Sequence, residues 1–194
     1  MSSIEAVKKL REKTGAGIVE VKKALEEAAG DEEKAITLLK KRGEAKALKR
    51  TDREAHEGIV TTYVHSNARV GVMLTLLCET DFVARNDDFK ELGRDLAMHI
   101  AAMAPLYVTP EAVPAELVAK ERLIWEEQVK AEGKPAEIAE RILAGKEKKF
   151  REDLALVSQA FVKDPSKTVG ELITESIHKI GEKIQVGTFV RYEI

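Results

Sequence analysis

A chain of 194 residues, 44% apolar and 34% charged with a net charge of −2, can bury a substantial core. Its near-neutral balance argues against a strongly basic nucleic-acid binder and against an acidic tail protein. A single cysteine, Cys78, rules out an internal disulfide and a metal-binding cysteine pair, so a reducing, cytoplasmic setting is expected. The N-terminus, MSSIEAVKKLREKTG, lacks the apolar stretch of a signal peptide, and no run approaches the roughly 18 apolar residues of a membrane span. A soluble intracellular protein with no membrane association is the expectation.

Residues 4 to 43 predict three short amphipathic helices. Ile4, Val7 and Leu10 recur at helical spacing, and the TGAG that follows carries two glycines able to take positive φ. Ile18, Val21, Leu25 and Ala28 then line one face of a second helix. Gly30 ends it, and Asp31 is suited to cap a third, with Glu32 and Glu33 in its first turn. From Gly43 to Glu57 the apolar stripe is lost among alternating charges, which predicts a solvated linker, helical or not, that lets the preceding module move.

The period then changes from 3.6 to 2. GIVTTYVH at 58–65 and VGVMLTLLC at 70–78 predict a β-hairpin turning at Ser66 to Arg69. Val70, Val72, Leu74, Leu76 and Cys78 share one face, with Met73 and Leu77 on the other, so the second strand is expected to be covered on both sides. Residues 87–103 predict a helix capped by Asn86, with Phe89, Leu92, Leu96, Ile100 and Met103 as its buried stripe. Two antiparallel helices within 114–150 follow, marked by Leu117, Ile124 and Val129, a turn at Gly133 to Pro135, and then Ile138, Ile142 and Phe150. Asp164 and Pro165 predict a turn, and Thr168 with Glu171 has capping-box spacing. In the final KIQVGTFVRYEI, Ile184, Val186, Val190, Tyr192 and Ile194 are expected on one face, and Lys183, Gln185, Arg191 and Glu193 on a solvated one.

These elements predict an α+β fold. Its parts are a helical bundle at 1–43, a charged linker at 44–57, and a core at 58–194 in which helices pack on an antiparallel sheet and a helical hairpin projects.

Catalytic signatures are missing. There is no Walker-type loop, no G-x-G-x-x-G after a strand and no G-x-S-x-G, and HEGIV at His56 has Val60 where a zinc protease needs its second histidine. His56, His65, His99 and His178 fall on four different elements and read as ordinary surface or core residues. Neither a metal nor a cofactor is expected, and side-chain catalysis is not expected. Lys40, Lys41, Arg42, Lys46, Lys49 and Arg50 lie among acids without an aromatic platform, so a solvated face is favoured over contact with nucleic acid. That leaves CETDFVARNDDF at 78–89. By composition, Phe82 would close the core at the strand-to-helix turn and Cys78 would be a small buried apolar residue.

TDFVAR at Thr80–Arg85 and LREKTGAGIVEVKKAL at Leu10–Leu25, supported by GKPAEIAERI at 133–142 and QAFVKDPSKTVGEL at 159–172, resemble the bacterial translation elongation factor Ts family. The match runs over nearly the whole chain. It departs at Ile18 and Val19, where the family often has a methionine pair, at Ala160, where proline is common, and in holding one copy of a core half that longer members carry twice. The resemblance implies a guanine nucleotide exchange factor that binds elongation factor Tu, GDP-bound and nucleotide-free, and speeds GDP release. It further implies that Thr80, Asp81, Phe82 and Val83 meet the partner's GTPase domain, with Phe82 facing outward to wedge near the magnesium site. By the same resemblance, the N-terminal bundle is a ubiquitin-associated-like module that docks through Arg11, Ile18, Val19 and Lys22. Read without it, Ile18 would pack in the bundle and Arg11 and Lys22 would sit on a solvated face. Short members are expected to form homodimers through sheet edges or faces, with Phe189 either a contact or buried. A helical-bundle adaptor or RNA-associated scaffold without exchange activity is the alternative.

Overall fold

The computed structural model describes residues 4–48, 50, 52–133 and 135–194. Residues 1–3, Lys49 of the basic run, Thr51 of the linker and Lys134 of the hairpin turn lie outside the described residues. The fold is α+β.

Three helices open the chain, α1 (Ile4–Thr14), α2 (Ile18–Glu27) and α3 (Glu32–Leu48), around a small core of Val7, Leu10, Ala16, Val21, Ala24, Leu25, Ala28, Ala35 and Leu39. Of the two glycines between α1 and α2, only Gly15 uses positive φ, at +65°; Gly17 is extended and caps α2. Asp31 Oδ1 accepts from the Lys34 amide at 3.0 Å, which caps α3. Ile18 does not join the apolar face of α2 and is half-exposed, because Val21, Ala24 and Leu25 already fill the bundle. α3 runs on to Leu48, five residues past the point where its apolar stripe ends. Its continuation is held by the Lys46–Glu20 ion pair and by contact with the last long helix, where Gly43 is buried against the His178 ring.

The main core begins with strands β1 (Glu57–Val64) and β2 (Val70–Cys78), followed by the single-turn helix α4 (Asp81–Ala84) and by α5 (Asp87–Met103). Next come α6 (Ala115–Ala131) and α7 (Ala136–Leu154), the short strands β3 (Ala160–Phe161) and β4 (Asp164–Thr168), then α8 (Val169–Ile180) and β5 (Gln185–Glu193). β1, β2 and β5 form one antiparallel sheet with β2 in the centre, and β3 pairs with β4. Val72, Leu74, Leu76 and Cys78 face inward onto Phe89, Leu92, Leu96 and Ile100 of α5 and Ile173 and Ile177 of α8. The Thr168–Glu171 capping box forms at the start of α8.

Several local expectations are corrected. Met103, in the last turn of α5, is exposed rather than part of the buried stripe. Met73 is half-exposed, so β2 is covered on one face only, because α5 and α8 both contribute to the same side of the sheet. In the hairpin the buried residues are Val118, Trp125, Val129 and Leu143, while Ile124 and Ile138 are exposed; Trp125 sets the seam by stacking edge-on against Phe150, ring centres 5.5 Å apart. Pro135 stands just before the first turn of α7. The turn expected at Asp164–Pro165 falls at Val162–Lys163, and Asp164 already pairs with Phe161.

The largest correction is in β5. Its pairing with β2 shifts between Leu74 and Leu76, because Gly187 and Thr188 bulge around the Thr75 hydroxyl, which accepts from the Thr188 amide at 2.7 Å. One extra residue reverses every later side chain. Phe189 therefore turns inward against the core, as does Arg191, whose Nε donates to the Ala101 carbonyl at the end of α5, whereas Val190 and Tyr192 turn outward.

His99 is fully buried. Its Nε2 faces Gln159 Oε1 at 3.1 Å and its Nδ1 accepts from the Val162 amide, an arrangement for a neutral ring. Burial holds both His99 and His178 below the ordinary imidazole pKa, with Glu20 opposing the effect at His178. These histidines protonate more readily in the unfolded chain, near pH 6.5, so stability is lost as pH falls from about 6.5 towards their folded values. Melting curves should therefore move to lower temperature between pH 7 and 5. His99→Asn, less stable at pH 7, should show a smaller drop; an equal drop in both proteins would show that His99 does not carry the effect.

Candidate partner interface

The segment from Cys78 to Asn86 is built as a rigid projection. β2 ends at Cys78, whose buried thiol donates to the Thr80 carbonyl at 3.2 Å and is pushed up to about 11 by burial and by the nearby Glu182 charge. Thr80 is extended, with φ −131° and ψ 155°, and its hydroxyl accepts from the Val83 amide to start α4. Asn86 Oδ1 then accepts from the Asp88 amide to start α5. Two capped helices in succession leave this connection little freedom.

Within α4 the four residues divide by direction. Ala84 is buried, Val83 packs against the main core, Asp81 pairs with Arg85 at 2.9 Å, and Phe82 points away from everything else with 80% of its surface exposed. A phenylalanine this bare loses the stabilisation of burial, about 1.5–3 kcal/mol. That energy is available to any surface that receives the ring.

The turn is braced from a distant part of the chain. Glu182 Oε2 accepts from the amides of Glu79 and Thr80 at 3.2 and 3.0 Å, and its Oε1 accepts from the Thr80 hydroxyl at 2.7 Å. Glu79 returns the arrangement by accepting from the Lys183 amide at 2.6 Å while pairing with Arg53 at 3.1 Å. Burial raises the Glu79 pKa, but the Lys183 amide and Arg53 more than offset it and hold the carboxyl below its usual value. Sequence reasoning missed both acids. Glu182 stands 102 residues from Thr80, and no local spacing signals the pairing.

The second set of expected contact residues lies on the helical bundle. Ile18, Val19 and Lys22 occupy the exposed start of α2, and Arg11 is exposed on the last turn of α1, across the Gly15–Gly17 turn. That turn leans on α8, where a Cβ at Gly15 would lie 3.4 Å from Lys179 Cβ, and the Lys179 ammonium pairs with Asp88 of α5 at 2.8 Å. Among the described residues, no group of three or more His, Cys, Asp or Glu could hold a metal ion, and no helix is long and apolar enough to cross a membrane.

A bare aromatic on a doubly capped, braced turn is the geometry of a protein contact surface. The elongation factor TS family model matches residues 4–194. Elongation factor Ts of Fervidobacterium nodosum is 54% identical over 192 residues, covering 99% of this chain and 98% of that protein. Those of Rubrobacter xylanophilus and Thermotoga petrophila are 51% and 53% identical, covering 100% and 99% of this chain and 99% and 96% of their own lengths. The chain belongs to the elongation factor Ts family, whose members are elongation factors of protein biosynthesis. Membership implies, at the level of the family, nucleotide exchange on elongation factor Tu.

Proposed function

We propose that this chain releases GDP from elongation factor Tu by inserting Phe82 among the elements that hold the nucleotide's magnesium ion. The observation that carries the reading is the 80% exposed ring on a turn fixed at both ends. A GTPase holds its nucleotide through phosphate-cradling amides and a bridging metal, so displacing those groups by about 1 Å weakens binding steeply. Asp81, beside the ring and partly exposed, and Val83 and Thr80, which set its angle, complete the contact. No covalent bond changes, so the factor is not an enzyme and uses no cofactor. Coupling is reciprocal: a factor that weakens nucleotide binding is itself expelled when GTP binds. The decisive measurement is release of labelled GDP from purified elongation factor Tu with wild-type and Phe82→Ala factor.

Arg11, Ile18, Val19 and Lys22 provide a second contact through the N-terminal module, residues 1–43, which is joined through 44–57 to the core at 58–194. Exposed Ile18 and Val19 supply apolar area there, with Arg11 and Lys22 at its margin. The setting is the cytoplasm, and neither nucleic acid nor membrane takes part.

The free protein pairs with a second copy through the uncovered sheet face. Thr62, Met73 and Val190 lie side by side across the three strands, flanked by Val64, Gly71 and Tyr192. Val60, Val64, Met73 and Tyr192 are each at least half-exposed, a flat apolar stripe that a two-fold related copy can cover. Light scattering should give a dimer mass for wild type and a monomer mass for Met73→Lys. A wild-type monomer at micromolar concentration would refute this assembly without touching the exchange reading.

A further inference from the structure

We infer that Glu182 is a positioning residue for nucleotide release: from just beyond α8 it sets the angle at which the 81–84 turn presents Phe82. The inference rests on the exchange reading above.

The Glu79 and Thr80 amides fall just beyond the last β2 pairing and just before α4, where no ladder or helix supplies an acceptor. Glu182 receives both with one oxygen and takes the Thr80 hydroxyl with the other. The Thr80 hydroxyl donates its proton to Glu182 and accepts from the Val83 amide, so the clamp and the cap of α4 share one group and Glu182 orients it. Bonds to a carboxylate acceptor are roughly twice as strong as those between neutral groups.

The base of this clamp is fixed as well. Gly181, at φ +93°, turns the chain out of α8, and two residues on the Lys183 amide donates to Glu79. Two segments about a hundred residues apart thus exchange side-chain and backbone bonds, each carboxylate serving the other's main chain. None of these bonds involves the Phe82 ring, which stands clear of the clamp. Glu182 therefore acts on the partner only through the direction and rigidity of the turn.

A wedge held loosely must be ordered before it can work, and a misplacement of about 1 Å can cost on the order of a hundredfold in rate. Glu182→Gln keeps the side chain's size but removes the charge, and its N–H₂ must face either the two amides, breaking those bonds, or the Thr80 hydroxyl, reversing that bond and freeing the hydroxyl proton. It should lower the GDP release rate at saturating factor by about 10- to 100-fold, with half-saturation within about threefold of wild type, since the contact residues remain. Thr80→Val, which removes the hydroxyl's link to Glu182 and its cap on the Val83 amide but leaves both main-chain bonds to Glu182, should fall in between and serves if Glu182→Gln does not fold.

Two further readouts separate positioning from a general loss of structure. Amide hydrogen exchange at Glu79, Thr80 and Val83 should accelerate in Glu182→Gln while the α5 amides keep their protection. In a Phe82→Ala background, Glu182→Gln should cost less than about twofold more, because a residue acting through the ring has nothing left to position. Undiminished release at saturation, unchanged protection at Glu79 and Thr80, or a full additional loss in the double variant would each overturn the inference. If Phe82→Ala alone releases GDP like wild type, the exchange mechanism fails and this role falls with it. Amide protection still reports separately whether the clamp holds the turn.

Discussion

Phe82→Ala is expected to slow stimulated GDP release by about 10- to 100-fold, since burying a phenylalanine is worth about 1.5–3 kcal/mol and each 1.4 kcal/mol is a factor of ten. The same substitution should leave the melting temperature almost unchanged. The ring is 80% exposed, so removing it opens no cavity, and surface changes of this kind usually stay within about 0.5 kcal/mol. Separation of activity from stability is the signature to look for. Stopped-flow release of a fluorescent GDP from elongation factor Tu, beside a thermal melt of the free factor, measures both. A variant with wild-type release would remove the wedge mechanism, although membership of the family would stand.

Phe89→Ala, seven residues on, should do the opposite. Phe89 is fully buried at the start of α5, within the core that α5 and α8 form with the sheet. Truncating such a residue to alanine typically costs about 3–5 kcal/mol, because the transfer energy is lost and a cavity remains. For a chain of this size that corresponds to roughly 6–20 °C in melting temperature. Urea unfolding followed by circular dichroism should show a lower midpoint with little change in slope. Release of GDP by the fraction still folded should stay near wild type at low temperature, because the Glu182 bonds and the Asn86 cap that aim the turn do not pass through the Phe89 ring. A loss below about 1 kcal/mol would mean that the site collapses around the gap more completely than the packing suggests.

Residue type alone could not separate these two phenylalanines. Composition favours burial for both, and only Phe89 follows the helical stripe that justifies it. The elements themselves were legible because their signals are local. The Asn86 cap, the Thr168–Glu171 box and the Val72–Leu74–Leu76 alternation each lie within a few residues and act through the backbone there. Expectations failed where a distant neighbour intervened. In β5 the alternation of Val186, Val190 and Tyr192 suggested one continuous face, but the Thr75 hydroxyl of another strand holds a bulge that reverses it. In α6 and α7 the expected stripe ran through Ile124 and Ile138, but the Trp125–Phe150 contact between helices turns those two residues outward.

By itself the sequence determined the α+β class, the order of helices and strands, and the motifs that resemble elongation factor Ts, because periodicity, caps and turn residues act over a few bonds. Only the tertiary structure decided that Phe82 stands free, that Phe189 turns inward, and that Glu182 clamps Thr80. Each of those outcomes depends on which atoms, far apart along the chain, compete for the same space or the same hydrogen bond.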